Sequence, residues 1–269
     1  MKQNRWQLYT FLGFGFAFLY VPVLLLVIYS FNESRLVTVW SGFSTKWYGE
    51  LLQNRQLLDA AWLSVRIAAT NATFAMILGT LAANALVRHG KFRGRTGFQL
   101  LLTAPLVMPE VITGLSMLLL FVAMEHLIGW PAGRGFTTIT IAHITFSMAF
   151  VAVVVRSRLS QMDRSLEEAA MDLGARPLKV YFAITLPLIA PALLSGWLLA
   201  FTLSLDDLVI SSFVAGPGST TLPMVVYSSV RMGVSPQINA LASIVVLIVS
   251  VAVLIAGISM RQRPATDGH

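Results

Sequence analysis

Six apolar runs, each near the roughly 20 residues that a helix needs to cross a bilayer, constrain this chain more than any other feature. They cover about 8–30, 67–87 (extending back towards Ala60), 98–124, 136–155, 187–215 and 238–260. Hydrocarbon offers no partner to a backbone N–H or C=O, so runs of this length are read as helices. The expected fold class is an all-α membrane protein with six transmembrane helices, which puts both termini on one side. The first run follows Lys2 and Arg5, as a signal peptide would. Its apolar part is longer than a signal core and no small-x-small cleavage site follows, so a retained anchor is expected. With 56% hydrophobic and 12% charged residues, the composition rules out the soluble one- or two-domain reading that length alone allows. No repeat of twenty to fifty residues interrupts the chain. A single domain over 1–269 is the economical reading.

The basic residues give the sidedness. A net charge of +7 is compatible with nucleic-acid binding, yet the Lys and Arg side chains sit in short loops between the runs, and nucleic acid is rejected as a partner. Thirteen fall on one side: Lys2, Arg5, Arg88, Lys91, Arg93, Arg95, Arg156, Arg158, Arg164, Arg176, Lys179, Arg261 and Arg263. Five fall on the other: Arg35, Lys46, Arg55, Arg134 and Arg231. Positive loops stay in the cytoplasm, so both termini and the 156–186 loop are expected there. Arg66 is left over and is read as snorkelling from the outer end of the second helix.

Ala75, Gly79 and Ala83 stand four apart in that helix. They place small residues on one face where another helix can approach closely. Pro105 and Pro109 in the third run, with Pro187 and Pro191 in the fifth, remove backbone donors at lipid depth, which is tolerated only beside protein or a water-filled path. Helices three and five are therefore candidates for lining a pathway.

Between the fourth and fifth runs, residues 165–187 form a polar segment. Ser165 and Glu168 have capping-box spacing and predict a helix start. Gly174 can turn left-handed and end that helix, and Pro177 suits the first turn of the next. Glu168-Ala169-Ala170, three residues, Gly174, nine residues, then Ile184-Thr185-Leu186-Pro187 resembles the EAA loop of permease subunits of bacterial ATP-binding-cassette importers. The likeness extends over nearly the whole chain and is greatest to the polyamine permeases, those importing putrescine in particular.

That resemblance implies a type I ABC importer permease fold in the bacterial inner membrane. The EAA loop is then a coupling helix docked on a cytoplasmic ATPase subunit, with Glu168, Ala169, Ala170, Gly174, Ile184, Leu186 and Pro187 at the family's coupling positions. The implied partners are a second permease subunit (a heterodimer), two ATPase subunits that hold the ATP and Mg, and a periplasmic substrate-binding protein. No cofactor is expected on this chain. Independently, no G-x-x-x-x-G-K-[ST] occurs, because Gly90-Lys91 is followed by Phe92, so no phosphate cradle is expected here. Neither HExxH nor a nucleophile elbow is present, and the lack of cysteine excludes thiol chemistry. A transport subunit is expected rather than an enzyme.

Glu110, Asp206 and Asp207 carry the substrate expectation. A carboxylate in a spanning helix costs roughly 2.5 to 3.5 kcal/mol on insertion scales, so each needs a partner or water. Arg66 and His143 are the basic candidates within the runs, leaving negative charge that a cationic substrate can compensate. At about 1.5 Å per residue, Glu110 is expected about 18 Å along the third helix and Asp206 about 22 Å beyond Pro191. Glu110 as a protonated or hydrogen-bonded structural residue remains an equal alternative. Asp206 and Asp207 point about 100° apart on a regular helix, so one of them is expected to be structural. Ser204 and Asp207 also have capping-box spacing, so the fifth helix can break and restart there. The Ser-Leu-Asp-Asp run resembles the same segment of polyamine permeases, which implies a cation contact there, and Asp206 is preferred to Asp207 for it.

His143 is expected to be a hydrogen-bonded buried residue, and no metal site is expected. Trp197, Tyr20 and Tyr29 can stack on a diamine or belong to the interfacial belt. The segment 216–237, with Tyr227 and Arg231, resembles the outer face on which a binding protein docks, with a plain loop as the alternative. Two rivals remain: a gradient-driven secondary transporter or cation channel, and a non-transporting scaffold. An importer of spermidine or another small solute is the alternative within the family.

Overall fold

The computed structural model describes residues 5–35, 39–90, 92–232 and 236–261, with side chains throughout except those of Arg5, Gln7, Met232 and 252–261. Lys2, Lys91 and Arg263 lie outside the described residues, as do the side chains of Arg5 and Arg261. Two compact units can be distinguished, residues 1–58 with 226–269 and residues 59–225.

In the first unit, α1 (Arg5–Tyr29) has no buried residue in its most apolar window. It is apolar all round, as suits a helix whose surroundings are lipid. The chain leaves it at Ser30, whose hydroxyl donates to Val27 O (2.6 Å) and lies 2.7 Å from Tyr48 Oη. Phe31 packs on Phe43 and Tyr48 with ring centres 5.4 and 5.2 Å apart. A short helix follows, α2 (Lys46–Gln53). Asn54 then caps α3 (Arg55–Arg88) by accepting the Leu57 N–H at 3.2 Å, as an N-cap asparagine does. The last helix, numbered α12 below (Pro236–Arg261), packs on α1 and α2, and Gln237 bonds both Asn54 (2.7 Å) and Glu50 (3.1 Å).

The second unit is built on α3, α6 (Phe136–Gln161) and α9 (Leu186–Leu205). Lipid supplies no hydrophobic drive between helices, so close packing must hold them. The small face of α3 provides it. Ala72, Ala75 and Ala83 are fully buried against Val151, Val155, Ile189 and Ala200. A Cβ on Gly79 would stand 2.9 Å from the Met148 carbonyl oxygen and from Val151 Cβ. Asn71, two turns before Gly79, donates to Ser147 Oγ (3.2 Å) and to Ala200 O (2.9 Å), tying α6 and α9 to the same stripe.

The third apolar run, expected as one helix over 98–124, is two: α4 (Arg95–Val107) and α5 (Glu110–Ile128). Proline at 109 disfavours the helical region for the residue before it, and Met108 is extended at φ −75°, ψ 136°. Pro105 is carried inside α4 without a break. The polar loop forms α7 (Ser165–Asp172), and α8 (Pro177–Val180) runs through a π turn, Tyr181–Thr185, into α9. The fifth span thus begins near Pro177 rather than at Pro187, and it stops at Leu205. After three residues, α10 (Val209–Val214) packs on α5 and α6, and Gly114 of α5 leaves room for Phe213. The helix α11 (Leu222–Met232) completes the order. Among the described residues, five helices are long and apolar enough to cross a membrane, and α12 contributes a shorter apolar stretch over Pro236–Val251.

Candidate functional site

The polar loop is built as a rigid elbow. Its start differs from the capping box read from Ser165 and Glu168. Ser165 is already the first helical residue, and the Asp163 carboxylate accepts its N–H at 3.0 Å. Glu168 N–H goes to Arg164 O instead. The bond from the Ser165 N–H holds the Asp163 carboxyl below the ordinary aspartate range. The end follows expectation. Gly174 is left-handed at φ +86°, its N–H reaches Met171 O at 2.8 Å, and Ala175 N–H reaches Ala170 O at 3.1 Å. That pair of bonds is the Schellman closure.

Two adjacent glutamates divide the work. Glu167 turns inward, accepting from Arg88 Nη2 at 3.0 Å and from the buried Thr185 hydroxyl at 2.7 Å. One carboxylate oxygen therefore joins the end of α3, the start of α7 and the π turn. The charges also oppose both helix dipoles, with Arg88 in the last turn of α3 and Glu167 in the first turn of α7. Glu168 is left exposed, with Ala169, Gly174 and Pro187. Ile184 and Leu186 are half-buried below them, and Leu186 packs against the α3, α6 and α9 core. Around this polar rim stand Leu173, Leu178 and Phe182, 90%, 75% and 63% exposed. Leu178 also lines a cleft of about 420 Å³ reaching from Leu81 and Arg88 to Pro177 and Tyr181.

The second locus is the break after α9. Asp207 caps α10, its Oδ1 accepting Ile210 N–H (3.2 Å) and its Oδ2 Ser211 N–H (2.7 Å). The break and the Asp207 cap follow the sequence expectation, but Ser204 does not complete a capping box. Its hydroxyl meets His143 Nδ1 at 2.7 Å. His143 Nε2 lies 3.0 Å from Asp207 Oδ2 and 3.1 Å from Ser211 Oγ. Asp206 is the C-cap of α9 and is exposed. Of two adjacent carboxylates, one is consumed in holding the fold and the other makes no side-chain hydrogen bond or ion pair among the described residues.

Glu110 is not in mid-helix. It opens α5, immediately after the Pro109 break, and is exposed with no hydrogen-bond or ion-pair partner among the described residues. The break relieves the isolation of a mid-helix carboxylate, because a first-turn acid faces the positive end of the helix dipole. Arg66 lies over the Phe136 ring at 5.1 Å. Trp197 stacks on Phe201 at 5.3 Å and donates to Thr73 Oγ1. Tyr20 stacks on Phe16, and Tyr29 meets Trp40 edge-on. Tyr227 is half-exposed on α11 with Arg231 over its ring at 5.2 Å. Among the described residues, no group of three His, Asp or Glu side chains could hold a metal.

Comparison with known proteins agrees with this arrangement. The family described as the binding-protein-dependent transport system inner membrane component matches residues 75–262. The chain is 65% identical over 254 residues to the putrescine transport system permease protein PotI of Escherichia coli (strain K12), covering 94% of this chain and 90% of that protein. It is 43% identical to the spermidine/putrescine transport system permease protein PotC of the same organism, with 94% and 93% covered. Among solved structures, a chain of the bacterial alginate ABC transporter, crystallised with an alginate pentasaccharide-bound periplasmic protein, superposes with a TM-score of 0.71 at 16% identity over 98% of this chain and 96% of that one. This chain therefore belongs to the family of binding-protein-dependent transport system inner membrane components, with the fold of an ABC importer permease.

Proposed function

We propose that this chain is one permease subunit of an ATP-driven importer that carries a polyamine, putrescine above others, across the bacterial inner membrane. The observation that carries the substrate is the 65% identity, over 94% of the chain, to a putrescine transport permease. The chemistry agrees with a dication. Asp206 and Glu110 are exposed acids beside broken helices, where a transient substrate can supply the missing positive charge. The 43% identity to a spermidine/putrescine permease favours some tolerance of longer polyamines as a second reading.

The subunit works by alternating access. A second permease completes the pathway as a heterodimer, two cytoplasmic ATPase subunits bind the ATP and Mg, and a periplasmic binding protein delivers substrate to the face that includes Tyr227 and Arg231. Both termini and the Glu168 loop are cytoplasmic, supported by thirteen basic residues on that side against five on the other. Glu168, Ala169, Ala170 and Gly174 meet the ATPase. The exposed Leu173, Leu178 and Phe182 give that contact apolar area to bury. Ile184, Leu186 and Pro187 pass the motion into α9. The test is copurification of the ATPase subunits with this chain in detergent, before and after Glu168→Lys. Association intact in the parent and lost in the variant is expected. An intact association and intact uptake in the variant would remove Glu168 from the coupling contact.

A further inference from the structure

One side chain from a different helix holds both sides of the α9–α10 break. Ser204 lies in the last turn of α9, Asp207 in the break, and Ser211 in the first turns of α10. His143 of α6 touches all three at 2.7, 3.0 and 3.1 Å. A carboxylate only accepts, so Nε2 is the donor towards Asp207, while Nδ1 pairs with the Ser204 hydroxyl, a group that can donate or accept. Both ring nitrogens are then satisfied, and the imidazole is 2% exposed. The Ser–His–Asp order is that of a nucleophilic site, but Ser204 and Ser211 are 6% and 0% exposed, so no substrate reaches them. The cluster is mechanical.

What it holds in place is the residue between its anchors. Asp206 keeps a backbone bond from its N–H to Thr202 O at 3.2 Å and sits at φ −96°, ψ −2°. Its own side chain has no partner in the cluster and is exposed. We propose that His143 is a positioning residue that fixes the break between α9 and α10 and thereby the place at which Asp206 meets a cationic substrate. The part played by Asp206 in transport rests on the function proposed above, whereas the fixing of the break rests on the geometry alone.

The chain contains no cysteine, so Asp206→Cys gives this subunit a single thiol at the break and exposed Thr220→Cys gives a control. Labelling by N-ethylmaleimide is followed in membranes carrying the full importer. His143→Leu is expected to change the rate at position 206 by about tenfold, equivalent to about 1.4 kcal/mol, with position 220 unchanged. His143→Gln, which retains a donor for Asp207, is expected to restore most of the parent rate. If the leucine variant does not accumulate, Ser204→Ala decides, since it frees Nδ1 while leaving Asp207 paired. Unchanged labelling at 206, or equal changes at 206 and 220, overturns the proposal. In uptake kinetics, Asp206→Asn and His143→Leu are expected to raise KM separately but not additively, because one acts through the other, and His143→Gln is expected to keep KM near that of the parent. Additive effects on KM also overturn it. A normal KM in Asp206→Asn removes Asp206 from the substrate path, and the labelling result still decides the role of His143.

Discussion

Replacing Glu167 with alanine should loosen the coupling elbow, and the size of the effect follows from two distances. The Arg88–Glu167 pair is 3.0 Å apart with side chains 13% and 16% exposed. Charges at that separation attract by about 5.5 kcal/mol at an effective dielectric of about 20. Desolvation and side-chain ordering offset most of this, leaving about 1.5 to 3 kcal/mol for a hydrogen bond between charged groups. The Thr185 hydroxyl, 2.7 Å from the same oxygen, adds about 1 kcal/mol. Glu167→Ala loses both and also strands Arg88, whose Nε already lacks a partner. Glu167→Gln keeps acceptors for both and loses the charge, about half the ionic contribution. Hydrogen exchange of the α7 amides reads the difference, since each 1.4 kcal/mol is about tenfold. The alanine variant should exchange about 100-fold faster or more and the glutamine variant about fivefold faster, given that these bonds limit local opening. Arg88→Met combined with Glu167→Ala should cost no more than the larger single change. Equal behaviour of Ala and Gln, or simple addition of the Arg88 and Glu167 effects, would refute the reasoning.

Other consequences are as direct. Leu173→Ser should weaken ATPase association by about 1.5 to 3 kcal/mol, the value of burying one leucine, in a detergent binding titration, while leaving the melting temperature of the subunit unchanged. Gly79→Leu should prevent accumulation in membranes, because even a Cβ there meets backbone at 2.9 Å; Gly79→Ala should cost about 1 to 3 kcal/mol as overpacking in a denaturation assay. Asp207→Ala should destabilise the subunit by removing a helix cap and stranding His143, whereas Asp206→Asn should leave its stability intact in the same assay. The Asp163 carboxyl is depressed by the Ser165 N–H, so its contribution is present above the unfolded value near pH 4 and is lost as pH falls through the lower folded one. Exchange of the Ser165 amide, corrected for intrinsic rate, should therefore stay flat above about pH 5.

Much of this architecture was written in local chemistry. Gly174 and Pro177 announced the elbow because one backbone turns left-handed without a Cβ and the other lacks an N–H. The break after α9 was legible in the spacing of Ser204 and Asp207, though only the aspartate serves as a cap. The split of the third run was also present, as Met108 precedes Pro109 and is disfavoured in the helical region, but the apolar continuity of the run masked it and put Glu110 inside a helix rather than at the start of one. The choice between Glu167 and Glu168 was not readable. Adjacent helical residues point about 100° apart, and only the position of α3 shows which one meets Arg88. His143 gave still less signal. Its partners lie 61 to 68 residues away, and no spacing rule links them.

The most direct test of the account is the ATPase activity of the purified assembly in lipid, with the binding protein empty or loaded with putrescine, spermidine or amino acids. Coupling through the Glu168 loop predicts low basal hydrolysis, with stimulation by the putrescine-loaded binding protein above all others. No associated ATPase, or hydrolysis indifferent to every loaded binding protein, would contradict it.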